Sequence, residues 1–201
     1  IGVGQAVSVM EGERALYERL LSHAREQKEN ELIAKLESIA PYPNPEYPEE
    51  SYVENAGFLR NKLSLLAGET MLHHLLWDDA LNMWHFDQAI SPHLTLTDIS
   101  NSLLGDEMAL FRPPYTLLKD LINSDLPKDV GSSFEVPIFF FTGAHDWHTP
   151  RTLSDKWFSQ ISAPYKELIH FEESAHGVVM EEPGKVLVAL VNKVLPFAQD
   201  A

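Results

Sequence analysis

The chain has 201 residues, of which 44% are hydrophobic and 22% charged, an ordinary globular mixture that excludes disorder as the default and leaves room for one large domain or one and a half ordinary ones. Its 15 basic and 30 acidic side chains give a net charge of −15, and an acidic surface repels phosphate backbones and anionic lipid heads, so neither nucleic acid nor a membrane is expected as a partner. With no cysteine there are no disulfides, thiolate nucleophiles or cysteine-ligated metals, and no apolar run nears the roughly 20 residues of a bilayer span; a cytoplasmic location is the expectation.

Ile1–Gln5 already reads as strand, with no Met before it, so the chain is expected to be part of something longer. Residues 12–37 follow as an amphipathic helical stretch, with Leu16, Leu20, Leu21, Ala24, Leu32, Ile33 and Leu36 at three- and four-residue spacing. The prolines at 41, 43, 45 and 48 break it. Further helices are expected around 51–66, 68–74, 76–86, 95–110 and 115–124, making residues 6 to about 130 an irregular helical layer. That layer holds most of the acidity: residues 1–135 carry 10 basic and 22 acidic side chains, residues 136–201 carry 5 and 8.

After Pro127 the pattern changes. Val136–Thr142 is a short, continuous apolar run rich in aromatics, which predicts a strand buried on both faces. Thr149-Pro150 predicts an N-cap with proline in the first turn of a helix over 151–161. Residues 165–171 are a second strand, and Glu181-Glu182-Pro183 open a last helix with Val186, Leu187, Leu190, Val191 and Val194 on its apolar face. The β-loop-α-β-loop-α order requires a parallel sheet. Two or three strands make a poor free-standing one, so further strands are expected outside the chain.

Functional groups in open α/β sheets gather at the carboxyl ends of strands. Asp146 follows the first late strand and His176 the second, so one helix and one strand separate loops that should emerge side by side. An aspartate there can fix the tautomer of a histidine that shuttles a proton. Glu172, Glu173 and Asp155 are rival acids. The His145-Asp146-Trp147-His148 run, His73-His74, His85 and Asp87 lack the spacing of a metal site, and neither a metal nor an organic cofactor is expected.

The segments Gly143–Pro150, Ser174-Ala175-His176-Gly177 and Glu181-Glu182-Pro183 resemble the acid loop and histidine loop of α/β-hydrolases. Ile1–Gln5, Glu11-Gly12-Glu13-Arg14 and Tyr17 resemble the strand and cap entry of the proline iminopeptidase-like branch. The resemblance implies an α/β fold: residues 1–5 and 131–201 as the C-terminal part of the hydrolase sheet, about three strands, with residues 6–130 inserted as a helical cap. It implies Asp146 as the orienting acid and His176 as the general base. The serine elbow of that family would lie upstream of Ile1, because Ser132-Ser133, the nearest imitation among 15 serines, precedes a strand instead of following one. The partners implied are a small peptide, amide or ester substrate and the missing N-terminal half of the hydrolase core; without that half the chain is expected to be inactive.

Substrate choice would belong to the cap, whose acidity suits a free amine. Glu13 is the candidate amine ligand, with a role in the first turn of its helix as the alternative; Trp77, Trp84, Phe86 and Tyr115, with Trp147 beside the acid, are candidate pocket walls or ordinary core. Three other readings stay open: an esterase or other amide hydrolase of the same fold, a non-catalytic binding or regulatory module, and an inactive fragment.

Overall fold

A computed structural model describes residues 1–44, 51, 54–59, 62 and 120–198. The chain divides into two compact units, Ile1–His74 with Asn123–Ala201 and Leu75–Ile122; nearly all of the second lies outside the described residues, as do Trp77, Trp84, Phe86, Tyr115, His73, His74, His85 and Asp87. In order, the described elements are β1 (Gly2–Val3), α1 (Val9–Gln27), α2 (Asn30–Ser38), α3 (Leu126–Asp129), β2 (Ile138–Gly143), α4 (Arg151–Gln160), β3 (Lys166–Phe171), α5 (Val178–Glu181), α6 (Pro183–Ala189), a π-helical turn (Leu190–Val194) and α7 (Leu195–Ala198). Residues 51, 54–59 and 62 are also helical.

The fold is α/β, with a small parallel sheet in the order β1-β2-β3. β2 sits in the middle and pairs Gly2 with Phe140 on one side and Phe140 with Leu168 on the other. Because successive side chains of a strand point to opposite faces, the run Ile138-Phe139-Phe140-Phe141 feeds two cores at once. Phe139 and Phe141 pack with Phe171, Val178, Val186 and Ala189 on one face; Phe140 packs with Val7, Trp157 and Ile161 on the other. A parallel strand covered on both sides needs this unbroken apolar sequence, which is why no polar alternation appears in it.

The helical stretch over 12–37 is two helices rather than one. Lys28 takes a left-handed conformation (φ 60°) and its N–H turns back to the Ala24 and Arg25 carbonyls, closing α1 before α2 begins. The turn keeps the apolar stripes together: Leu16, Tyr17, Leu20 and Ala24 of α1 meet Leu32 and Leu36 of α2, with Ile39, Tyr42 and Leu59 completing the cluster. α1 also starts earlier than the pattern suggested, at Val9 behind an Ser8 cap whose hydroxyl accepts the Glu11 N–H. Glu11 is thus the first-turn acid, and Glu13, two residues further along α1, is 1% exposed.

Two expectations near the end of the chain are corrected. Thr149 does not cap α4: Pro150 holds the cap position with no side-chain bond, and the Thr149 hydroxyl points elsewhere. In the last helix Val186 is buried and Leu190 and Val194 are partly so, but Leu187 and Val191 are exposed at 61% and 49%. One stripe of the helix lies on β2 and β3, and residues one position further round the axis miss it.

Candidate active site

Asp146 lies in the turn that follows β2, and its position depends on a residue three places earlier. A Cβ on Gly143 would fall 1.9 Å from the Ala175 carbonyl oxygen and 2.5 Å from that of Ser174. The backbone of the histidine loop rests directly on Gly143, and no other residue type permits it. Two backbone hydrogen bonds stitch the acid turn to the end of β3 and its loop, Ala144 N–H to Phe171 O at 2.9 Å and His145 N–H to Ser174 O at 3.0 Å.

The histidine loop is fastened from its other side by Glu181 and Glu182. The Glu181 carboxylate accepts the Ala175 N–H at 2.7 Å; the Glu182 carboxylate accepts the Ser174 hydroxyl at 2.7 Å and the Glu173 N–H at 3.2 Å. Burial by itself raises the Glu182 carboxyl, but hydrogen bonds from Ser174 and Lys185, the Lys185 charge and the Glu173 N–H together hold it below the ordinary carboxylate range. As sequence, these two glutamates are helix-opening charges. Folded, they are anchors of the loop ahead of them.

His176 Nδ1 and Asp146 Oδ2 meet at 3.0 Å, with 24% of the histidine side-chain surface exposed and 2% of the aspartate's. Thr149, missed as a site residue because its sequence position suits a helix cap, closes the arrangement. Its N–H donates to Asp146 Oδ1 at 2.8 Å, and its hydroxyl lies 2.8 Å from Asp146 Oδ2, 3.1 Å from the Gly4 carbonyl and 3.1 Å from His176 Nδ1. Gly4, the residue after β1, also enters the site. It has a positive φ of 53°, and a Cβ there would fall 2.7 Å from His176 Cε1, so the imidazole sits on bare backbone. The His148 ring meets His176 edge-on, 4.6 Å between centroids.

The other candidates fall as follows. Asp155 pairs with Arg151 along α4, and Glu173 lends its N–H to Glu182. Ser132 accepts the Trp157 indole N–H. Glu13 accepts the Tyr42 hydroxyl inside the α1 packing. Trp147 packs against the α1–α2 cluster, with the Arg19 guanidinium 4.5 Å above its ring. Among the described residues no group of three or more His, Asp or Glu is placed to hold a metal ion, and no helix is long and apolar enough to cross a membrane. What the arrangement can do is proton transfer: a buried carboxylate holds one nitrogen of a part-exposed imidazole and leaves Nε2 to take up and return a proton.

No protein-family model matches the chain. Over 51 residues it is 39% identical to a protein of Bacillus subtilis (strain 168) described as "Probable aminopeptidase YbaC", a stretch that is 25% of this chain and 16% of that relative. The match spans about a sixth of the relative's length, and over that stretch the chain is similar to a protein described as a probable aminopeptidase.

Proposed function

We propose that Asp146 and His176 are the acid and base of a serine hydrolase of the α/β-hydrolase type, most like a proline iminopeptidase, whose nucleophile and oxyanion-hole donors come from sequence outside this chain. The observation that carries the reading is the 3.0 Å contact between His176 Nδ1 and Asp146 Oδ2, made at the carboxyl ends of two adjacent parallel strands. Partial identity to a protein described as a probable aminopeptidase supports a peptide or amide as substrate.

In the mechanism, His176 Nε2 takes the serine hydroxyl proton as the oxygen attacks the scissile carbonyl. Asp146 stabilises the imidazolium that forms. The proton passes to the leaving amine, the acyl-enzyme remains, and His176 then deprotonates the water that releases the acid. The acidity of residues 1–135 draws a substrate with a free, protonated amino terminus toward the site.

A fluorophosphonate probe tests the mechanism on protein carrying its upstream sequence. Labelling of a serine that is lost in His176→Ala is expected; undiminished labelling and turnover in that variant would remove His176 from the chemistry. For the substrate, a free-amine prolyl amide should be cleaved faster than its N-blocked form and faster than a simple ester. Equal rates on all three would discard the aminopeptidase assignment and leave a general esterase or amidase.

A further inference from the structure

A hydroxyl has one proton and two lone pairs, yet Thr149 Oγ1 has three polar neighbours: the Gly4 carbonyl at 3.1 Å, Asp146 Oδ2 at 2.8 Å and His176 Nδ1 at 3.1 Å. The carbonyl and the ionised carboxylate only accept, so the hydroxyl donates to one of them and its oxygen is left to accept from the third neighbour. His176 Nδ1 in turn faces two oxygens, Asp146 Oδ2 at 3.0 Å and Thr149 Oγ1. A bare nitrogen would bring lone pairs against lone pairs there. Every contact has a hydrogen when Nδ1 carries one and shares it between the carboxylate and the hydroxyl, while the single hydroxyl proton is shared between the carboxylate and the Gly4 carbonyl.

Two further contacts make this more than a chance approach. The Thr149 N–H holds the second carboxylate oxygen, so one residue grips both ends of the Asp146 side chain. Through its bond to the carbonyl of Gly4, the residue that follows β1, the hydroxyl also reaches the backbone that seats the imidazole. A ring held by the aspartate alone would pivot about a single hydrogen bond; a second acceptor fixed to a different strand removes that freedom.

We propose that Thr149 is a positioning residue for His176, its hydroxyl tying Asp146, the His176 Nδ1–H and the Gly4 carbonyl into one network that keeps the ring in the tautomer with Nε2 free. The use made of that tautomer rests on the function proposed above; the network itself does not.

The test is the Nδ1–H proton signal of His176 in NMR spectra of the folded protein, assigned by its loss in His176→Gln. In the wild type this proton is expected to exchange slowly with water. Thr149→Val, close in shape but without the hydroxyl, should speed that exchange about tenfold, the equivalent of one hydrogen bond, and Thr149→Ser should restore it. In protein carrying its nucleophile, Thr149→Val should lower kcat about tenfold and leave KM unchanged, because the hydroxyl holds the base rather than the substrate. An unaltered signal and kcat in Thr149→Val would overturn the proposal. Thr149→Ala reads the same quantities without added bulk if valine is not accommodated; if both unfold the protein while serine does not, the hydroxyl serves the fold and the proposal fails. A faster-exchanging Nδ1–H with no serine labelled would keep the network and remove the hydrolase reading. Labelling that needs His176 but is indifferent to Thr149 would do the reverse.

Discussion

Gly143→Ala is the substitution whose effect the structure defines most sharply. The added methyl would sit 1.9 Å from the Ala175 oxygen, and both of its nearest obstacles are backbone atoms that no rotamer change can move aside. To reach an ordinary carbon–oxygen contact the histidine loop must retreat by about 1.4 Å. That displacement stretches the two backbone bonds between the loops, from Ala144 to Phe171 and from His145 to Ser174, beyond useful length. At about 0.5–1.5 kcal/mol each, their loss costs about 1–3 kcal/mol of stability. The same retreat opens the 3.0 Å contact between Asp146 and His176 past hydrogen-bonding distance, and in the hydrolase proposed above a misplacement of the pair near 1 Å would lower the rate by about a hundredfold. Gly184→Ala is the matched control. A Cβ there meets nothing within 4 Å, and in α6 the change should stabilise by about 0.5–1 kcal/mol. Urea unfolding of the two variants measures the difference. A Gly143→Ala protein as stable as Gly184→Ala, with the His176 Nδ1–H signal intact, would refute the claim that bare backbone at 143 seats the histidine loop.

Other outcomes follow from the same geometry. Gly4→Ala should weaken the protein by about 1–2 kcal/mol through its positive φ and displace the His176 ring, seen as a shifted imidazole NMR signal; an unmoved signal would mean the ring does not rest on Gly4. Phe141→Ala, fully buried against Phe171 with ring centroids 5.5 Å apart, should cost about 3–5 kcal/mol in urea unfolding, and a loss below 1 kcal/mol would contradict the two-faced packing of β2. The Glu182 carboxyl is held below its ordinary pKa when folded, so the unfolded chain binds the proton first. Its stabilisation is present above the unfolded value, near 4.5, and fades as pH falls through the lower folded value. The stability gap between wild type and Glu182→Gln should therefore be full at neutral pH and shrink in acid; a gap that widened in acid would reverse the assigned direction.

The strands and the two loops of the site were legible because their signals are local. The short apolar run around Phe139–Phe141, rich in aromatics, has the pattern of a strand covered on both faces, and the strand-end rule then marks Asp146 and, after the next strand, His176. The split between α1 and α2 was not legible, because Lys28 is an ordinary helix former and takes a left-handed turn for the sake of packing Leu20 and Ala24 on Leu32 and Leu36. Thr149 misled for a related reason. A threonine ahead of Pro150 fits a cap equally well, but a buried carboxylate binds a hydroxyl more strongly than a helix N–H does.

By itself the sequence determined where the two late strands and the main helical stretches lie and which two titratable side chains would stand at the ends of neighbouring strands, since periodicity and strand-end placement are properties of a few consecutive residues. Only the tertiary structure decided what holds those side chains. Gly4 meets Thr149 across 145 positions, Gly143 receives the backbone of residues 174 and 175, and Glu181 and Glu182 turn back on the loop before them. Each of these depends on two distant segments arriving at the same place, and that meeting is fixed by the packing of the whole sheet and its helices, which no local pattern encodes.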